Sequence, residues 1–205
     1  DRARVDLWLG ADLWDLAQLP DVANDFFQLR TLNPNALFLL SMNAVEPYTN
    51  AIPESYFLHD VNGHRIEVWP GSYRLNLTRN EVADFQADWA YAKLAEAGFI
   101  HDGVFVDNVF LSQSWQDTDI YGNPVQIDAD GNGLPDDPAV FDAAWRAGVL
   151  REVEAIRARS PDILMSGHAM DVTEPRLLAV FNGTSVGFSP ANVIEHEESY
   201  PAVEG

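Results

Sequence analysis

Cysteine is absent from the chain, which excludes disulfides and thiol chemistry and leaves the redox compartment unreadable. Lysine occurs once, at Lys93, and the formal charge is −20. A surface so acidic repels nucleic acid phosphates and anionic membranes, and it disfavours polyanionic substrates unless arginines cluster at the site. Nucleic acid is therefore excluded as a partner, while neutral molecules and divalent cations remain. No apolar run approaches the ~18–20 residues that cross a bilayer, so membrane insertion is not expected. Arg2 and Arg4 do not open a signal-peptide pattern. An acidic, soluble chain of this kind suits an extracellular or cell-surface setting. Glycine-rich phosphate turns are also lacking after every strand-like run, which weakens a nucleotide-dependent enzyme, and no organic cofactor is expected. Internal repeats and low-complexity tracts are missing too, and nothing in the sequence fixes an oligomeric state.

What is present is a globular composition with 47% apolar residues, enough over 205 residues for one domain with its own core. Strand-like apolar runs alternate with helical periodicity. The runs are VDLWLG (5–10), ALFLLSMN (36–43), GVFVDNVF (103–110), DILMSGHAM (162–170) and TSVGFSP (184–190); their length and flanking Gly or Pro favour strands. Helices are expected at about 20–32 and 174–181. A longer one should follow the capping-box pattern Thr78-x-x-Glu81, with Val82, Phe85, Trp89 and Ala92 on one face. Another should start at Asp137 and Pro138 and bury Phe141, Trp145, Val149, Val153 and Ile156.

This α/β alternation gives a parallel sheet, as either an open doubly wound sheet or a (β/α)8 TIM-type barrel. Polar residues follow several runs: Asp12, Asn43 with Glu46, Asp107 with Asn108, and His168 with Asp171. Strand ends of a barrel converge on one site, which favours the barrel. A full barrel needs ~250 residues, so residues 1–205 are expected to form a single incomplete barrel domain of about five to six strands.

Asp107 interrupts an apolar strand near its end, and burying a carboxylate is costly unless it is paired. At a barrel strand end it would instead face the mouth, where Asn108 can bond a substrate hydroxyl or orient the carboxylate. Glycoside hydrolysis needs two carboxyl groups flanking the scissile bond. Glu46, Asp171 and the cluster Glu195, Glu197 and Glu198 are candidates for the second, and Glu195 is preferred because Val193 and Ile194 would anchor its backbone. His168 either orients a sugar hydroxyl or is a rim histidine. Trp69 and Trp115 are the least core-like tryptophans and suit stacking on sugar rings; Trp8 and Trp14 also lie near strand ends. Arg74 and Asn76 could supply hydrogen bonds, as could Asn43.

The connection 111–137 is unusually long and carries IDADGNGLPDD (127–137). Asp128, Asp130 and Asn132 match positions 1, 3 and 5 of an EF-hand loop, and Gly133 matches the turn at 6. Leu134 offers its carbonyl at 7 and Asp136 its carboxylate at 9. Position 12 is Ala139 rather than a bidentate Glu, and Asp137 could substitute only if it does not cap the helix. The expectation is a structural Ca²⁺ that stiffens a wall of the site; the alternative is a metal-free turn-rich loop.

On these stretches the chain resembles the hypothetical glycoside hydrolase-like barrel families of bacteria. The likeness runs through YFLHDVNGHRIEVWPGSYRLNLT, RNEVADFQADWAYAKLAEAGF, DGVFVDNVF and DPAVFDAAWRAGVLREVEAIRA. It covers most of residues 30–200 and is most specific from Trp69 to Asn108. It implies a TIM-type barrel with a catalytic-site aspartate after the fourth strand, Asp107, and an acid near the sixth, Glu195. The expected activity is a glycosidase hydrolysing a neutral oligo- or polysaccharide with two carboxylates. The alternative is a carbohydrate-binding or structural surface barrel without turnover.

Overall fold

The computed structural model describes residues 7–9, 20–96, 98, 100–168, 171 and 173–181. The fifth apolar run, Asp12, Trp14 and Glu195 lie outside them. The first four runs all form strands: β1 (Leu7–Leu9), β2 (Leu37–Asn43), β5 (Gly103–Asp107) and β6 (Leu164–Gly167). All three pairings in the order β1-β2-β5-β6 are parallel. Each strand lies beside its predecessor, with no reversal of direction across the described sheet.

The helices between them are α1 (Pro20–Leu32), α2 (Asn80–Glu96), α3 (Pro138–Arg159) and α4 (Pro175–Val180). Consecutive helices pack together, α2 on α3 and α3 on α4. The α3 stripe is the expected one: Phe141, Trp145, Val149, Val153 and Ile156 are all buried. Its N-cap is Asp137, whose side chain accepts the N–H groups of Ala139 and Val140. Gly148 on the same helix lies so close to Leu77 that a Cβ would stand 1.7 Å from the Leu77 carbonyl oxygen.

The start of α2 differs from expectation. The helix begins at Asn80, so Thr78 is outside the cap position. The Thr78 hydroxyl donates to Asn76 Oδ1 instead, and Glu81 accepts from Arg79. The buried face is Val82, Ala83, Gln86, Ala87, Ala90 and Leu94, shifted from the predicted stripe, and Ala92 is exposed. The two large rings left off that face find other partners: Trp89 stacks on Tyr48 at 4.3 Å, and Phe85 meets Tyr56 edge-on.

Residues 67–73, where no strand is expected, form a hairpin of β3 (Glu67–Trp69) and β4 (Ser72–Tyr73). Its turn uses Pro70 and Gly71, with Gly71 at φ +80°, a left-handed value that favours glycine. The 111–137 connection is stitched down along its length. Asn108, Val109 and Phe110 lead from β5 into it. Trp145 Nε1 donates to Phe110 O, the Gln113 and Ser114 N–H groups donate to Asp142, Asp128 N–H donates to His59 O, and Asn76 Nδ2 donates to Ala129 O.

Candidate active site

Three neighbouring strands deliver polar residues to one end of the sheet. Asn43 is the last residue of β2 and pairs in register with Asp107, the last of β5. His168 follows β6 directly; its N–H donates to Val106 O and its carbonyl accepts from Val109 N–H. The His168 ring Nδ1 is hydrogen-bonded to Asp107 Oδ1. The same Oδ1 accepts the Asn108 N–H at 2.9 Å. Asn108 sits at φ +59°, the one non-glycine with positive φ among the described residues. Asparagine tolerates this region better than most residues, and the turn brings the N–H back onto the preceding carboxylate. Asp107 is thus paired, which answers the cost of placing a carboxylate on an apolar strand. Its side chain is 37% exposed. Asn43 is used locally: its Oδ1 accepts Val45 N–H.

Beside this group lies a cleft of about 320 Å³ lined by Glu46, Trp69, Arg74, Asn108, Trp115 and Gln116 among others. Trp69 and Trp115 are 68% and 55% exposed. Trp115 is fixed by its Nε1 donating to Ser112 O and by a T-shaped contact with Phe110 at 5.7 Å. Arg74 is buried, and its guanidinium donates to Glu46 Oε1 at 3.1 Å and to Gln116 Oε1 at 3.2 Å. Burial pushes Arg74 down to about 10, against the opposing pull of Glu46; it stays cationic near neutrality. Glu46 Oε2 accepts the Ser72 hydroxyl at 2.8 Å, so both carboxylate oxygens are engaged. Sequence reasoning gave Arg74 as a sugar donor and Glu46 as a second acid. It missed that they form one buried pair, because their separation of 28 residues is closed only by the unpredicted hairpin.

Asp171, the other described acid considered, is exposed and accepts the Thr173 N–H and hydroxyl. These bonds hold its carboxyl below the usual range. It is a turn residue ahead of α4.

Ligand atoms of Asp128, Asp130 and Asp136 lie within 4.8 Å of one another, a spread that oxygens about 2.3–2.6 Å from one Ca²⁺ can occupy. Asp128 accepts N–H groups from Gly131, Asn132 and Gly133, which curl the loop around it. Asn132 Oδ1 accepts Leu134 N–H, while its amide donates to Asp130. Asp136 Oδ2 accepts Ala129 N–H. Asp137 caps α3 and does not replace the missing twelfth ligand. The donor set is hard oxygen throughout, as calcium requires. Among the described residues no helix is long and apolar enough to cross a membrane.

Residues 33–174 match the family model of hypothetical glycosyl hydrolase family 15. No curated protein matches the chain in sequence. Among solved structures, a GH36 alpha-galactosidase of Geobacillus stearothermophilus in complex with 1-deoxygalactonojirimycin is similar in fold. Its TM-score is 0.51 at 16% identity, over 87% of this chain and 23% of that one. An alpha-N-acetylgalactosaminidase of Bifidobacterium bifidum gives 0.46 at 13% identity, over 77% and 23%. Aspergillus fumigatus Ega3 in complex with galactosamine gives 0.44 at 19% identity, over 78% and 53%. The chain therefore spans between a fifth and about half of the structures it resembles.

Proposed function

The chain belongs to hypothetical glycosyl hydrolase family 15, and on that premise we propose that it carries the active site of a glycosidase acting on a neutral oligo- or polysaccharide. The observation that carries this reading is the convergence of Asn43, Asp107 and His168 at the ends of three adjacent parallel strands, beside a cleft with two exposed tryptophans. Asp107 is the nucleophile or base. Its Oδ1 takes part in two hydrogen bonds, an arrangement that suits either role better than that of proton donor. Glu195, outside the described residues, is the general acid that the family resemblance implies. Glu46 suits that task less, because both its oxygens already accept hydrogen bonds.

The exposed faces of Trp69 and Trp115 stack on sugar rings, while Asn108 and Asn43 border the reacting centre. Arg74, committed to Glu46, braces the cleft, and among the described lining residues no other cation is there for an anionic sugar. A neutral glycan fits this lining and the acidic surface, and action outside the cell fits both.

The barrel is the architecture we assign. Its support is the one-directional strand order and the packing of α2 on α3 and of α3 on α4; an open doubly wound sheet reverses direction at its switch point. Calcium in the 127–137 loop, held by Asp128, Asp130 and Asp136 with Asn132 and the Leu134 carbonyl, stiffens the wall next to Trp115.

The test is reducing-sugar release from a panel of neutral glycans by the full-length protein and by Asp107→Asn. Release should fall by at least about 10³-fold in the variant, the scale of losing a catalytic group that works through a covalent or base-assisted step. Equal release by both proteins removes Asp107 from the chemistry.

A further inference from the structure

We propose that His168 is a positioning residue: it locks the Asp107 carboxylate so that Oδ2 alone is the reacting atom. The inference rests on the reading of Asp107 as catalytic and replaces the role of His168 as a sugar contact. Both hydrogen bonds to the Asp107 side chain, from Asn108 N–H and His168 Nδ1, end on Oδ1. Oδ2 accepts none from any described residue. A carboxylate held on one side by a backbone N–H and an imidazole cannot spin about its Cβ–Cγ bond, so the two oxygens are no longer equivalent.

The holder is itself fixed. His168 is tied to β5 through both its N–H and its carbonyl, at 2.9 and 3.0 Å, on either side of Asp107. The Asn108 N–H belongs to the peptide plane that directly follows Asp107 at the end of β5. Two independent restraints therefore converge on one oxygen. Pre-organisation of this kind matters because a misplacement of about 1 Å can cost roughly 100-fold in rate.

Among the described residues, the charged groups Glu46, Asp171 and Arg146 on neighbouring elements have partners of their own. After β2, Glu46 is held by Arg74 and Ser72. Ahead of α4, Asp171 is held by Thr173, and Arg146 of α3 is paired with Glu174. His168 is the ring that meets Asp107.

The experiment measures kcat and KM on a neutral oligosaccharide that the wild-type full-length protein cleaves. The variants are His168→Ala, His168→Asn and Asp107→Asn, each checked for an unchanged melting temperature. The Asn side chain can place its amide nitrogen where Nδ1 lies, so it restores the donor without the ring. His168→Ala should lower kcat roughly 10–100-fold with KM within about twofold, the scale of a group that acts only on the reacting centre. His168→Asn should recover most of kcat, again with KM little changed. If His168→Ala instead raises KM with kcat unmoved, His168 touches sugar and the positioning role is overturned. If Asp107→Asn retains the wild-type rate, the catalytic reading of Asp107 falls and this inference falls with it.

Discussion

Glu152 sits on the buried face of α3 among Gly148, Val149, Val153 and Ile156, 0% exposed, and neither of its carboxylate oxygens has a hydrogen-bond partner. Burial pushes its carboxyl well above the usual 4.5. The folded chain therefore keeps a proton that the unfolded chain gives up. Stability from this group is complete below the ordinary glutamate value and is lost as pH rises toward the folded one. The slope approaches about 1.4 kcal/mol per pH unit within that window. Glu152→Gln has nearly the same shape and no proton to lose. Its amide leaves unpaired donors, a pH-independent cost of about 1–3 kcal/mol, so the informative quantity is how the difference between the proteins changes with pH. Urea unfolding of both at half-unit steps from pH 5 to 7.5 measures it. Groups that titrate in the opposite sense cancel, since both proteins hold them: Glu54, drawn down to about 2 by hydrogen bonds from Arg65 and His59, and Asp84, lowered by Arg151. The variant should gain on wild type steadily as pH rises. Parallel curves would refute the buried, protonated Glu152.

Gly148→Ala should destabilise the chain by about 1–3 kcal/mol, the range for overpacking, because the added methyl meets the Leu77 backbone rather than a side chain that can turn away; thermal unfolding checks it. Chelation should lower the melting temperature, and Asp130→Ala should abolish the response to added Ca²⁺. Saturating at 100 times Kd corresponds to about 2.7 kcal/mol, and an unchanged midpoint in both experiments removes the metal. Trp69→Ala should weaken glycan binding by about 0.5–1.5 kcal/mol, the worth of an aromatic face, with the melting temperature unmoved because the ring is largely exposed; calorimetric titration measures the loss.

Much of the frame was legible because it rests on local pattern. Apolar runs bounded by Gly and Pro became β1, β2, β5 and β6, and the Asp137–Pro138 start of α3 and its buried stripe needed only capping chemistry and a 3.6-residue period. The placement of Asp107 at a strand end was equally local. Less legible was whatever depends on distant partners. The α2 stripe shifted because Trp89 and Phe85 found Tyr48 and Tyr56, rings supplied by the long segment after β2. The β3–β4 hairpin carried its signal in Pro70-Gly71, yet its strands are too short for alternation to register. That hairpin closes the Glu46–Arg74 pair, so the pair was hidden with it. Nothing in the local pattern marks Glu152 as buried, although it stands four residues beyond Gly148 on the row that packs inward. The pairing of His168 with Asp107 needed the register of β5 on β6, which no single-strand pattern contains.

The central claim is that Asp107 works on a glycosidic bond at the ends of these strands. Its most direct test is a crystal structure of full-length Asp107→Asn holding an oligosaccharide that the wild type cleaves. The account predicts the scissile glycosidic linkage beside the side-chain atom of residue 107 that His168 leaves uncovered, with sugar rings against Trp69 or Trp115. A glycan bound elsewhere, with its scissile linkage out of reach of residue 107, would contradict it.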